Sequence, residues 1–341
     1  MNFAVIGAGN GGQAMAAHLS MMGHSVALFD RNPDKLKNLS EITLSGRINS
    51  TVKIHKVTDS IPRAIENADV IMVTTVATAH ADVARQMAPF LKENQIVILN
   101  PGRTGGVWEF RNVLDKLNFS KKIYLAEAQT LLYACRIIQD GSVNIIGIKD
   151  SVLLAAESQA DTDHVLSIIT PVFPAFKKAQ SLFQTGLENI GCIFHPCVVL
   201  CNAAAIERGE RFYFYRDMTP QIADFIQKVD KERIDVGNAY GIKLQSATDW
   251  ISSAYDGVKG ETLCERMRNN PAYYDIIAPA SIYTRQMFED IPTGLVPISQ
   301  LGKLKGVNTP LMDSIIDISG ALLNQDFRKT GRKISNCNIP S

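Results

Sequence analysis

Between Met1 and about Ile148, short β-branched apolar runs alternate with stretches whose apolar residues recur at helical spacing. The runs are Phe3 to Ile6, Ser25 to Phe29, Val70 to Val73, Ile96 to Leu99, Ile123 to Leu125 and Val143 to Ile148. Such a rhythm predicts an α/β domain built on a mostly parallel, doubly wound sheet with helices on both faces. The runs VIMVTTV and IVILN are almost wholly apolar, as burial on both faces of a sheet requires.

After the stretch Pro171 to Pro174 the texture changes, and from about Gln184 the residues read almost wholly as helix. His195-Pro196, Thr219-Pro220, Asn270-Pro271, Ile291-Pro292 and Thr309-Pro310 mark places where helices should start or break. The expectation is a dinucleotide-binding domain over residues 1–182 and an all-helical domain over 183–341. A chain of 341 residues, 46% of them hydrophobic, is long enough for two such cores. No internal repeat or low-complexity tract interrupts them.

Charge narrows the choice of ligand. Lys and Arg number 35 against 34 Asp and Glu, so the balance points to no polyanionic partner, and nucleic acid is not expected. No uninterrupted apolar run approaches the roughly 20 residues of a membrane span. The opening NFAVI has neither a basic nor a signal-like segment before it; with six cysteines read as free thiols, a cytoplasmic location is expected. Cys192, Cys197 and Cys201 fit no paired Cys-x-x-Cys site or zinc ribbon, so no metal is expected there.

The first run leads straight into Gly7-Ala8-Gly9-Asn10-Gly11-Gly12, a G-x-G-x-x-G pattern, and then into the helix-like QAMAAHLSMMG. Gly7 serves the tight turn, Gly9 lets the backbone approach a pyrophosphate, and Gly12 allows close packing of helix on strand. Asp30 ends the second run, about twenty residues on, where an acid accepts from the adenosine ribose hydroxyls and repels a 2′-phosphate. That favours NAD. Arg31 follows directly and can instead stack on adenine or pair with a 2′-phosphate, so NADP stays open. Thr74, after the Val70 run, and Pro101 with Gly102, in NPGRTGG after the Ile96 run, are expected at the same edge, against cofactor or substrate.

In the helical half, NIGCIFHPCVVLCNAAAIE sets Asn202 seven positions after His195, on one helix face. A histidine beside a proline is by itself more often structural. IYTRQMFEDIPTGLVP puts Arg285 five residues before Asp290, and read alone these are solvated charges near a helix end.

Taken together, the glycine pattern, NPGRTGG, FHPCVVLCNA, NPAYYDIIAP, TRQMFEDIPTGLVP, GVNTPLMDSIIDI and DFRKTGRK resemble the octopine and nopaline dehydrogenase family over nearly the whole chain. Within it the likeness is strongest to the bacterial branch that makes N-(1-D-carboxyethyl)-L-norvaline. The resemblance implies a Rossmann domain followed by a helical one, with the active site in the cleft between them. It implies an opine dehydrogenase, which reductively joins an amino acid to a 2-keto acid such as pyruvate with NAD(P)H. His195 falls on the family's catalytic histidine, Asp290 on its partner aspartate and Arg285 on the arginine of the same loop, a carboxylate binder. Asn202 matches the asparagine of the helical motif, though its substrate-binding role transfers less securely. Lys35 to Asp59 is the weakest stretch of the match.

Two other functions suit the architecture. Ketopantoate reductases and glycerol-3-phosphate dehydrogenases resemble it but use a lysine from the first helix of the helical domain, and Asn189 to Glu207 contains none. A dinucleotide-sensing protein without chemistry would have little use for His195, Arg285 and Asp290 together. A homodimer through the C-terminal helices is left open.

Overall fold

The computed structural model of the chain describes residues 1–255, 257–334, 337 and 339. Two compact units divide it, the first comprising Met1–Gly186 and the second beginning at Leu187, against a division expected near residue 182. Among the described residues no helix is long and apolar enough to cross a membrane.

Order in the first unit runs β1 (Asn2–Ile6), α1 (Asn10–Met21), β2 (Ser25–Phe29), α2 (Pro33–Leu36), β3 (Glu41–Gly46), β4 (Ser50–Lys53), β5 (Lys56–Thr58), α3 (Ile61–Ile65), β6 (Val70–Val73), α4 (His80–Met87), β7 (Ile96–Leu99) and α5 (Gly106–Lys116). It continues through β8 (Tyr124–Ala128), β9 (Tyr133–Gln139), β10 (Ser142–Ile148), β11 (Val152–Ala156), α6 (Gln159–Ile169), β12 (Phe176–Lys178) and α7 (Leu182–Leu187). An eight-stranded sheet has the order β12-β11-β8-β7-β6-β1-β2-β5. Every pairing in it is parallel except that of β11 with β8. All four residues of β6 and of β7 are buried, as helices on both faces demand.

Register aligns the strand ends. Ile6 sits opposite Phe29 and Val73, Val73 opposite Leu99, and Leu99 opposite Glu127. Gly7, Asp30, Thr74 and Asn100 therefore leave the sheet side by side at its carboxyl edge, where open α/β sheets hold ligands.

One expected strand lies elsewhere. The run Val143 to Ile148 belongs not to the main sheet but to a second, four-stranded sheet of order β4-β3-β10-β9. Its burial alternates, with Val143 and Ile145 buried between more exposed neighbours, as Ile42 and Leu44 are in β3. That is the pattern of a sheet covered on one face, and a run of β-branched residues does not by itself distinguish it from a strand covered on both.

Helices make up the second unit: α8 (Gly191–Cys201), α9 (Ala203–Glu207), α10 (Pro220–Ala239), α11 (Ala247–Ala254), α12 (Leu263–Arg268), α13 (Arg285–Phe288), α14 (Val296–Leu304), α15 (Pro310–Leu323) and α16 (Phe327–Thr330). A π-helical turn spans Ile291–Leu295. Pro220 and Pro310 open α10 and α15, as proline at a first helical position should. Pro196 departs from expectation, because α8 runs straight through it. The helix survives the lost backbone bond because Cys192, Ile193, Phe194, Cys197, Val198 and Val199 are all buried and packing on α10 and α13 holds it.

Candidate active site

The glycine turn after β1 is braced from several strands. Gly7 has φ of +107° and donates its N–H to the Phe29 carbonyl at 2.8 Å, a backbone state that favours glycine. A Cβ on Gly12 would lie 1.7 Å from the Gly7 carbonyl oxygen, so helix and turn touch backbone to backbone. Gly9 differs from both. A Cβ there would meet nothing within 4 Å, and this open face borders an α1 N-terminus with neither a side-chain cap nor an acid in its first turn. First-turn amides of that kind suit phosphate oxygens, and the open face admits them.

Around this turn the remaining polar groups are largely committed. Asp30 accepts the Ala8 N–H at 2.9 Å and the Asn32 N–H at 3.1 Å, and Lys35 Nζ lies 3.4 Å from it. Ala8 is thus an anchor for the turn rather than a free donor. Arg31 is exposed. The Asn10 side chain accepts the Ile137 N–H at 2.8 Å and so ties α1 to β9. The Thr74 hydroxyl donates to the Gly7 carbonyl at 2.8 Å, which makes it a brace of the glycine turn.

Pro101 is half-buried, and Gly102 is buried with its N–H on the Ala128 carbonyl. A Cβ on Gly102 would come within 2.4 Å of the Glu127 carboxylate, so this glycine lets the loop pack closely on that acid. Glu127 itself escapes a sequence reading. It is 1% exposed at the end of β8, accepting from Thr185 Oγ1 at 2.7 Å and from the Val107 N–H at 3.0 Å. The signal was a single acid in the otherwise apolar YLAEA.

In the second unit the structure joins two residues far apart in sequence. His195 Nδ1 lies 2.7 Å from Asp290 Oδ2, with side chains 20% and 1% exposed, so one partner is sealed while the ring keeps contact with solvent. A carboxylate accepts, hence Nδ1 carries the proton and Nε2 is the atom left for chemistry. Gly294 makes the approach possible: its Cβ, if present, would stand 2.3 Å from that of Cys192. The π-turn after Asp290 can therefore lie directly on α8, and such turns recur at functional sites. Phe214 packs near the imidazole with ring centroids 6.2 Å apart.

Arg285 is 61% exposed and its Nη1 is 2.6 Å from the buried Glu289 carboxylate. Burial pushes the Tyr215 hydroxyl well up, with the Asp290 charge adding to the shift and Arg285 opposing it; that phenol stays protonated beside the pair. Asn202 ends α8, and its amide nitrogen donates to the Val198 carbonyl at 2.9 Å. Among the described residues no hydrogen bond joins it to His195 or Asp290.

Comparison with known proteins converges on one family. Residues 178–323 match the family described as NAD/NADP octopine/nopaline dehydrogenase, alpha-helical domain. Residues 3–102, in the α/β half, match ketopantoate reductase PanE/ApbA. An opine dehydrogenase of Arthrobacter sp. (strain 1C) is 35% identical over 99% of this chain and 95% of its own. Among solved structures, octopine dehydrogenase with NADH and L-arginine superposes with a TM-score of 0.82 at 22% identity, covering 99% of this chain and 94% of that one. NADP+-bound yersinopine dehydrogenase does so at 0.77 and 15%, with coverage of 99% and 94%.

Proposed function

This chain belongs to the octopine/nopaline (opine) dehydrogenase family and is an NAD(P)-dependent opine dehydrogenase, and from that premise we propose how its own residues carry the reaction and on what. The single observation that carries the reading is the His195–Asp290 pair, 2.7 Å apart with the acid sealed. The substrates are an amino acid and a 2-keto acid, pyruvate first among them. The likeness to the norvaline-forming bacterial branch, stated above from the motifs, favours an amino acid with an apolar side chain.

Opine synthesis needs a neutral amine to attack the keto carbonyl, then loss of water to give an imine. His195 Nε2 takes the proton from the ammonium group and returns it to the departing hydroxyl. Asp290 fixes the tautomer and stabilises the imidazolium. Arg285 binds the keto-acid carboxylate. With Nη1 engaged by Glu289, the Nε and Nη2 edge is the fork that meets two carboxylate oxygens.

The carboxyl edge of the first unit fits a nicotinamide dinucleotide, since Gly9 leaves space beside uncapped amides of α1. When bound there, it supplies the hydride that reduces the imine carbon. Gly7, Gly9, Gly11 and Gly12 shape the phosphate site, while Asp30 takes the ribose and favours NAD. Solved relatives hold NADH or NADP+, and Lys35 with the exposed Arg31 leaves this chain a route to the phosphorylated cofactor. Free thiols fit a reducing compartment, the cytoplasm.

The test follows NADH absorbance with pyruvate, with and without a pool of amino acids. Consumption only when both are present supports opine synthesis, whereas consumption with the keto acid alone makes the enzyme a simple keto-acid reductase. Asp30→Ala should weaken NADH binding by roughly tenfold or more, the loss of a charged acceptor being worth about 1.5–3 kcal/mol. Fluorescence titration reads the Kd, and an unchanged value would show that the ribose is held elsewhere.

A further inference from the structure

Tyr215, Tyr255 and Tyr273 pack together in the second unit, and the three phenols are not used alike. Phe214 and Tyr215 lie in the segment between α9 and α10, which backbone bonds pin in place. The Phe214 N–H donates to the Ile276 carbonyl at 2.7 Å and the Ala278 N–H to the Phe212 carbonyl at 3.0 Å. The Tyr215 ring stacks on Tyr273 with centroids 4.4 Å apart and meets Phe214 edge-on at 4.8 Å. Phe214 is also the ring that packs near the His195 imidazole. Tyr215 is thereby held one ring away from His195, in an orientation set by packing on two sides.

The hydroxyls differ in what they bind. That of Tyr273 donates to the Tyr255 hydroxyl at 2.8 Å. Tyr215 is 5% exposed, yet among the described residues no hydrogen bond reaches its hydroxyl. A buried phenol ordinarily finds a partner, and leaving its donor unanswered is unfavourable. The charges that bear on it belong to the site: both Asp290 and Arg285 act on this hydroxyl, and burial keeps it protonated.

In a 2-keto acid the carboxylate is bonded directly to the carbonyl carbon. With Arg285 on that carboxylate and His195 Nε2 carrying the amine proton, the carbonyl oxygen still needs a donor at the moment of attack. We infer that the Tyr215 hydroxyl donates a hydrogen bond to this oxygen and is a further catalytic residue of the condensation. The assignment rests on the opine reading above. Attack by the amine forms the C–N bond and moves the carbonyl π pair onto oxygen. That oxygen then takes one proton from the nitrogen and one from His195, and leaves as water. The phenol keeps its own proton throughout. Charge on the oxygen is greatest just after attack, so a neutral donor fixed in advance acts more on the transition state than on the bound ground state.

Tyr215→Phe keeps the ring and its stack on Tyr273 and removes only the donor. It should lower kcat for reductive condensation by about two to three decades, the effect of deleting one such donor, with the KM for pyruvate changed by less than about threefold. The Kd for NADH should be unmoved. Tyr273→Phe, which deletes the neighbouring hydroxyl and keeps its ring, should leave kcat within about threefold of the unmodified enzyme. Thermal unfolding and NADH binding of both variants show that they are folded.

A kcat for Tyr215→Phe within about tenfold of the unmodified enzyme overturns the proposal. So does a rise in the pyruvate KM at unchanged kcat, which assigns the hydroxyl to the carboxylate, or an equal loss in Tyr273→Phe, which makes the effect one of packing. The opine reading fails separately, if the unmodified enzyme oxidises NADH with keto acid and no amine.

Discussion

His195→Ala should lower kcat for reductive condensation by about two to four decades, the range a positioned acid–base group contributes, while NADH binds as before. The expectation follows from the ring's two nitrogens doing different work. Asp290 occupies Nδ1 at 2.7 Å and leaves Nε2 as the proposed proton carrier, and alanine removes both that nitrogen and the partner of a buried acid. The amides proposed to hold the phosphates belong to the first unit, so the Kd for NADH should change by less than about threefold. Single-turnover kinetics beside a fluorescence titration give both numbers. Turnover within about tenfold of the unmodified enzyme would remove His195 from the mechanism.

Gly12→Ala should act on the other half, and through structure. The new methyl would be placed 1.7 Å from the Gly7 carbonyl oxygen and 2.8 Å from Thr74 Oγ1. Neither neighbour can easily retreat: Thr74 is bonded to that same carbonyl and Gly7 to Phe29. Moving α1 away from the sheet would uncover Ala14, Met15, Ala17 and Leu19, all fully buried. Overpacking of this kind costs about 1–3 kcal/mol, and more where only backbone can yield. A drop in denaturant midpoint with an unchanged slope, and an NADH Kd weakened at least about tenfold, are expected together. An alanine variant as stable and as tight as the parent would contradict the packing described for this turn.

Sequence patterning and structure agree where burial is two-sided. Val70 to Val73 and Ile96 to Leu99 are apolar at every position and are buried at every position, as a sheet covered on both faces requires. Asp30 was legible because its distance from the glycines is set by one helix and one turn. The second sheet was not, because β3 takes its parallel partner from β10, about a hundred residues away, and its half-exposed strands give weak periodicity. At the site, the bonds of Thr74 to Gly7 and of Asn10 to Ile137 were not legible, because they join segments far apart in sequence. The His195–Asp290 contact spans 95 positions and no local spacing announces it; only the motif likeness linked the two. Glu127 was passed over because a lone acid inside a strand resembles noise until its donors are seen.

Pairing of β3 with β10 bears on how the chain comes off the ribosome. Thr43 meets Ser142 and Leu44 meets Val143, so β3, already paired with β4, lacks its second neighbouring strand until most of the first unit has been synthesised. The glycine turn, made in the first seconds, is tied through Asn10 and Gln13 to the same late hairpin at Ile137 and Gly141. A nascent fragment ending before residue 130 should thus hold its nucleotide site loosely and be open to proteases, then tighten as β9 and β10 emerge, because long-range closure has to precede the contacts that reward it.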